Sequence, residues 1–253
     1  MSEGTMSGNR VFENADGDVL YIVVPAYNEQ ENIGRLIDDW YPVVERHSGN
    51  GRSRLVIVND GSRDRTGEII EEYAETRPLL KQIRKPNGGH GSALMKGYGC
   101  AVSAGADYIF QTDSDGQTLP REFESFWNLR EYYDAVIGNR WAREDGIGRI
   151  FVEQTLLFIL RVIFGVRMPD ANAPFRLMKR ELLEKYLGRM PADYNLPNVM
   201  LTTFFVRSHE KVCFRKITFR PRQAGKNSIN PKKIVKIGWK ALGDFVKFRF
   251  QNG

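Results

Sequence analysis

The stretch TDSDGQ, residues 112–117, sets two carboxylates and an amide at alternate positions: Asp113, Asp115 and Gln117. Two carboxylates about 4 Å apart repel by about 4 kcal/mol at an effective dielectric of 20, so such a cluster calls for a cation. Mg²⁺ and Mn²⁺ prefer oxygen donors, and magnesium sites combine one or two carboxylates with water and the phosphate oxygens of a bound nucleotide. A divalent cation shared with a phosphate-bearing ligand is the chemistry these residue types fit. A D-x-D triplet by itself is also a common polar turn. Its weight comes from its place directly after an apolar run, YIF at 108–110.

The elements that must position it follow a regular alternation. VLYIVVP predicts a strand ended by Pro25, and Ile33, Leu36, Ile37 and Trp40 recur at helical spacing between Glu29 and about Arg46. RLVIVND predicts a second strand, RDRTGEIIEEYAE a second helix and LLKQIRK a third strand. GGHGSALMKGYGCAVSAGA reads as a helix of small residues, DYIFQTD as the fourth strand, PREFESFWNLREYY as a helix opened by Pro120, and DAVIGNR as the fifth strand. Strand and helix repeating at this interval argue for an α/β fold, an open and mainly parallel sheet covered on both faces. In such sheets ligands bind beyond the carboxyl ends of the strands, where strand order reverses. Here those ends are PAYNE (25–29), NDGS (59–62), PNGG (86–89), TDSDGQ (112–117) and GNR (138–140).

Beyond Arg149 the pattern changes. RIFVEQTLLFILRVIFGV predicts an apolar helix interrupted by Glu153 and Arg161, packed on protein or lipid rather than spanning a bilayer. PDANAPFRLMKRELLEKYL reads as a loop leading into a helix, KVCFRKITFRP as a strand and RQAGKNSINP as a loop. From Pro231 to about Phe250 a basic amphipathic helix is expected, with Ile234, Ile237, Ala241, Phe245 and Phe248 on one side and Lys233, Lys236, Lys240 and Lys247 on another.

The 253 residues divide into a polar leader (1–18), a main domain (19–230) and this terminal helix (231–253). The net charge of +6 is carried by the tail: residues 207–253 hold 13 Lys and Arg against Glu210 and Asp244. Such a tail suits an anionic membrane face, a phosphorylated substrate or nucleic acid. The basic residues are not interleaved with aromatics as a base-stacking platform requires, which argues against nucleic acid. Cys100 and Cys213 show no metal-ligand spacing and form no disulfide framework. With no secretory signal pattern at the start, a soluble cytoplasmic protein is expected.

Taken in order, VVPAYNEQENI, IVNDGSRDRT, NGGHGSALMKGY, TDSDGQ, GNR and DANAPFRLMKRE resemble the motifs of family 2 glycosyltransferases of the GT-A fold, particularly the dolichol- or polyprenol-phosphate sugar synthase branch, over about residues 19–230. The resemblance implies that Pro25, Tyr27 and Glu29 line a nucleotide pocket, and that Asp60 contacts the base. It implies that Asp113 meets the ribose and that Asp113 and Asp115 hold a diphosphate-bound Mg²⁺ or Mn²⁺, with Gln117 completing the metal shell. Asn59 departs from the family, which has an aspartate there.

The implied reaction is an inverting transfer of a hexose from a nucleotide-diphosphate sugar, of the GDP-mannose or UDP-glucose type, to a polyprenyl or dolichyl phosphate. A phosphate acceptor is already anionic near neutral pH and needs cations rather than a general base. The resemblance assigns Arg140 and Arg149 to that phosphate. Arg222, Lys226 and Ser228 only approximate the family's third arm, with Ser228 displaced by one residue, and Arg176 is a further candidate. The membrane would be touched peripherally, at its cytoplasmic face or through a partner protein, and a homo-oligomer fits equally. The rival reading is an enzyme of the same fold acting on a saccharide hydroxyl or a lipid-diphosphate sugar, with Glu144 or Asp145 as base. A non-catalytic binding protein is disfavoured by the intact Asp113, Asp115 and Gln117.

Overall fold

The computed structural model describes residues 17–143, 147–221 and 241–250. The first sixteen residues, Glu144 and Asp145, the loop carrying Arg222, Lys226 and Ser228, and residues 231–240 of the expected terminal helix lie outside that set.

Seven strands form one sheet: β1 (Leu20–Ala26), β2 (Arg54–Asn59), β3 (Leu80–Arg84), β4 (Tyr108–Thr112), β5 (Ala135–Arg143), β6 (Phe175–Lys179) and β7 (Val212–Phe219). Their order is β3-β2-β1-β4-β6-β5-β7. All pairings are parallel except those of β6, which runs antiparallel to both β4 and β5. The direction of strand addition reverses between β1 and β4, so the crevice at their carboxyl ends is the expected ligand position.

β1 is buried on both faces, and its side chains divide with the period of a strand. Leu20, Ile22 and Val24 join a core with α1 (Ile33–Arg46), α2 (Thr66–Ala74) and α4 (Phe123–Trp127), in which Trp40, Phe110, Phe123 and Phe175 pack ring to ring. Tyr21 and Val23 join the opposite core, with α3 (His90–Ser103), α5 (Ile147–Phe164), α6 (Arg180–Leu187), α7 (Pro197–Arg207) and the helical residues 241–250 (α8). α3 sits tightly on the sheet because Gly97 lacks a side chain; a Cβ there would stand 2.3 Å from Val23 Cγ1. α8 is tied to the end of α5 by the Phe164–Phe245 ring contact, at 6.2 Å, and by a hydrogen bond from Arg249 Nε to the Ile163 carbonyl, at 3.1 Å.

Three elements differ from expectation. The helix read over residues 120–133 is a 3₁₀ turn, Pro120–Glu122, and a five-residue α4. Beyond α4 the amides of Leu129, Arg130 and Tyr132 bond three residues back, a tightening that ends the helix. FRLMK, read as part of a loop, is β6, an interior strand between β4 and β5; Arg176 interrupts its apolar pattern yet is fully buried. α7 has no counterpart in the sequence pattern, because it is buried all round from Pro197 to Phe205, with Asn198, Thr202 and Thr203 among apolar neighbours, and so shows no one-sided helical stripe.

Candidate active site

The loops after β1 and β2 are laced together. Glu29 N–H donates to Thr66 Oγ1 (2.8 Å), Asn28 N–H to Ser62 Oγ (3.0 Å) and Arg63 N–H to Asn28 Oδ1 (2.8 Å). Pro25 is buried inside β1, and the Glu29 carboxylate is held by Asn32 Nδ2 at 2.7 Å. Tyr27 is the exposed side chain of the three and is free to lie against a ligand's ring. Asp60 is almost completely buried and accepts from Lys85 Nζ, from Gly88 N–H (2.9 Å) and from Gly89 N–H (2.7 Å). Its carboxylate therefore folds the 86–89 loop against the end of β2. That structural role stands beside the base contact the family implies.

Asp113 follows β4 at the strand-order reversal. Its Oδ1 accepts from Gln111 Nε2 at 3.0 Å and stands 3.8 Å from His90 Nε2, the first residue of α3. Burial pushes the Asp113 carboxyl up to about 6; His90, Arg140 and Arg176 pull it down while Asp115 pushes it further up. Gly116 adopts φ +71°, a left-handed conformation that turns the chain after Asp115 and brings Gln117 back to the site. Gln117 N–H donates to Asp115 Oδ1 (3.2 Å), which closes the turn.

The Gln117 side chain donates from Nε2 to the Arg220 carbonyl (2.8 Å), and Arg220 N–H donates to the Gln117 carbonyl (2.9 Å). This double bond of residue to residue has two effects. It commits the amide nitrogen, leaving the amide oxygen as the end suited to a cation. It also fixes Arg220, at the end of β7, beside the turn that carries the aspartates. Two carboxylates and one amide oxygen fit a hard divalent cation. Among the described residues no group of three His, Cys, Asp or Glu side chains forms a cage, so this donor set fits a cation that also takes ligand phosphate oxygens.

Arg140, at the end of β5, forms a bidentate pair with Asp170, Nε to Oδ2 at 2.7 Å and Nη2 to Oδ1 at 2.8 Å. Nη2 also reaches Glu153 Oε1 at 3.3 Å, and the guanidinium lies 5.3 Å from the Phe219 ring centroid. Its charge is thus already compensated within the fold. Arg149 lies on α5. Arg176 points into the core instead, bonding the carbonyls of Ala173 (2.9 Å) and Asn198 (3.1 Å); burial lowers its proton affinity. The sequence reading brought Asp113, Asp115, Gln117 and Arg140 to one rim, where the structure places them. It did not find His90, Lys85 or Asp170. His90 and Asp170 stand inside quoted motifs and Lys85 ends a predicted strand, but only the folded geometry shows what each touches.

Residues 21–187 match the model of Glycosyl transferase family 2. A dolichyl-phosphate beta-glucosyltransferase of Trichomonas vaginalis is 30% identical over 175 residues, 63% of this chain and 53% of that protein. A polyprenol monophosphomannose synthase of Mycolicibacterium smegmatis is 25% identical over 222 residues, 84% of this chain and 82% of that protein. The chain thus spans about half the length of the first relative and most of the second. Among solved structures, glucosyl-3-phosphoglycerate synthase from Mycobacterium tuberculosis with Mn²⁺, UDP-glucose and phosphoglyceric acid shares the fold at a TM-score of 0.68, with 19% identity, over 92% of this chain and 80% of that one.

Proposed function

Because the chain belongs to glycosyl transferase family 2, we propose that it moves a hexose from a nucleotide-diphosphate sugar, of the GDP-mannose or UDP-glucose type, to a polyprenyl or dolichyl phosphate, with inversion at the anomeric carbon. The observation that carries this reading is the Asp113–Gln117 turn at the strand-order reversal, bonded through Gln117 to the root of the basic loop. In this reading that clasp would bring donor and acceptor chemistry to one rim.

Asp113, Asp115 and the Gln117 amide oxygen would hold Mg²⁺ or Mn²⁺ together with the donor diphosphate. The cation supplies Lewis-acid stabilisation of the negative charge that develops on the leaving nucleotide. Tyr27 offers its exposed ring to the base, and Asp60 and Lys85 hold the 86–89 loop that borders it. Arg140, whose charge Asp170 and Glu153 already compensate, is held oriented on the acceptor side in this reading and adds no net positive charge of its own there. Arg149, Arg222, Lys226 and Ser228 complete the acceptor-phosphate site in this reading. An anionic acceptor oxygen attacks without giving up a proton, so no general base is required.

Contact with a membrane surface is supported by the outer faces of α5 and α8. Phe158 and Val162 are 65% and 68% exposed and Phe250 is 81% exposed, and the charged Arg161 and Lys247 share the same helices. Among the described residues no helix is long and apolar enough to cross a bilayer. Peripheral attachment through these helices would bring the rim to a lipid-borne phosphate.

The test is transfer of labelled sugar from GDP-mannose and UDP-glucose to polyprenyl phosphate, with polyprenyl diphosphate-sugar and free saccharides as parallel acceptors. Product on the monophosphate, lost in Asp115→Ala with the fold intact, is the expected result. Product only on a saccharide hydroxyl would replace the acceptor in this reading, and full activity of Asp115→Ala would remove the cation site.

A further inference from the structure

Behind the Asp113 carboxylate a chain of amides runs into the protein interior. Tyr98 Oη donates to Asn198 Oδ1 (2.8 Å), Asn198 Nδ2 to Gln111 Oε1 (3.0 Å) and Gln111 Nε2 to Asp113 Oδ1 (3.0 Å). Tyr98 and Gln111 are fully buried and Asn198 is 2% exposed. The three come from α3, β4 and α7, elements far apart in the chain. Asn198 is itself pinned, its carbonyl accepting from Arg176 Nη1 (3.1 Å) and from Thr202 Oγ1 (2.8 Å).

Buried amides and hydroxyls gain little net stability from such bonds, and apolar side chains of the same shape would serve a core as well. The row does have a direction. An ionised carboxylate only accepts, so Gln111 must turn its nitrogen toward Asp113 and its oxygen toward Asn198. Asn198 must then turn its nitrogen toward Gln111 and its oxygen toward Tyr98, whose hydroxyl donates. Each orientation is set by the next, and the hydroxyl at the buried end closes the sequence.

We propose that Tyr98, Asn198 and Gln111 are positioning residues for the cation site: they hold Oδ1 of Asp113 with a fixed donor, set the plane of its carboxylate, and leave the other oxygen aimed at the metal–nucleotide complex. This rests on the reading that Asp113 and Asp115 bind a divalent cation with the donor diphosphate. Partners of metal ligands characteristically tune affinity by about 10–100-fold, and that is the size of effect assigned to Gln111. The relay makes affinity for the cation a property of the packing of α7 as well as of the exposed loop.

The experiment uses the full chain and reads free Mn²⁺ by electron paramagnetic resonance during titration in the presence of UDP and, separately, GDP. Gln111→Met removes the donor next to Asp113 and Tyr98→Phe removes a single oxygen at the far end. Gln111→Met is expected to raise the apparent Mn²⁺ dissociation constant about 10–100-fold, and Tyr98→Phe by a smaller factor. Excess Mn²⁺ should restore transfer in both, with the acceptor KM unchanged. Wild-type Mn²⁺ affinity in folded Gln111→Met and Tyr98→Phe would overturn the inference, as would a fall in kcat that excess cation does not restore. If Gln111→Met does not fold, Tyr98→Phe decides alone. A wild-type chain that binds no Mn²⁺ with either nucleotide would instead overturn the underlying cation reading, a result distinct from wild-type-like variants.

Discussion

Asp113→Asn should make the metal-free protein more stable at neutral pH while removing its activity. In the proposed reading the charge of this buried side chain would be neutralised by the cation. Burial, the largest influence, raises its carboxyl from 3.8 to about 6. A carboxyl whose folded value lies above its unfolded one binds its proton more tightly in the native state. Its contribution to stability is complete below about pH 4 and is lost as pH rises through about 6. At about 1.4 kcal/mol per tenfold change in proton affinity, the neutral-pH loss is bounded near 3 kcal/mol. The side chain keeps 25% exposure, and solvent screening reduces the gain expected from the neutral amide to about 1–2 kcal/mol. Asparagine keeps an oxygen to accept from Gln111, so no buried donor is abandoned. For a domain of this size the gain corresponds to a rise in Tm of about 4 °C. Differential scanning fluorimetry with chelator at pH 8 should show the increase, and at pH 3.5, below the unfolded value, the two proteins should melt nearly together. Adding Mn²⁺ with nucleotide should stabilise the wild type and leave the variant where it was. A variant that melts at or below wild type at pH 8, with an unchanged circular dichroism spectrum, would refute the reasoning.

Lys85→Ala should destabilise by about 3 kcal/mol, because it leaves the almost fully buried Asp60 carboxylate without its cation; urea unfolding measures it, and an unchanged midpoint would show the pair to be solvent-compensated. The same variant should weaken nucleotide binding, read by calorimetry, since the 86–89 loop loses its tether. Gly97→Ala should cost about 1–3 kcal/mol through overpacking, since its Cβ would stand 2.3 Å from Val23 Cγ1; a variant as stable as wild type would mean α3 can shift outward freely. The double variant Phe158→Asp, Phe250→Asp should lose sedimentation with anionic vesicles while keeping wild-type nucleotide affinity; retained sedimentation would remove α5 and α8 from the membrane-facing reading.

The sequence shows this architecture best where side-chain chemistry and strand period agree. β1, β2 and β4 are apolar runs bounded by turn formers, and each falls where the pattern puts it. β6 is hidden because Arg176 occupies its centre, and a charged residue in a five-residue strand reads as loop unless its buried carbonyl partners are visible. α7 is hidden for a different reason: Pro197 to Phe205 are buried all round, and with Asn198 and Thr202 bonded among the apolar residues no one-sided stripe stands out. At the site, Asp113, Asp115 and Gln117 announce themselves by type and spacing. The Lys85–Asp60 pair, the Arg140–Asp170 pair and the Gln111 relay depend on contacts across 25, 30 and 87 positions, and local spacing carries no trace of such separations.

The single reversed strand has a consequence for how the catalytic rim can vary. Because β6 runs against its neighbours, it begins where they end: Phe175 pairs with Thr112 at the finish of β4. The segment leading into it, with Asp170 and Asn172, is therefore delivered to the same rim as the parallel strands' exits, while the opposite edge receives α6 directly after Lys179. An inserted or exchanged stretch between α5 and β6 would reshape the mouth of the site from one side and leave the sheet's register untouched. The 165–174 connection can thus vary in length and sequence at the rim, provided Asp170 is retained as the fixed post that holds Arg140.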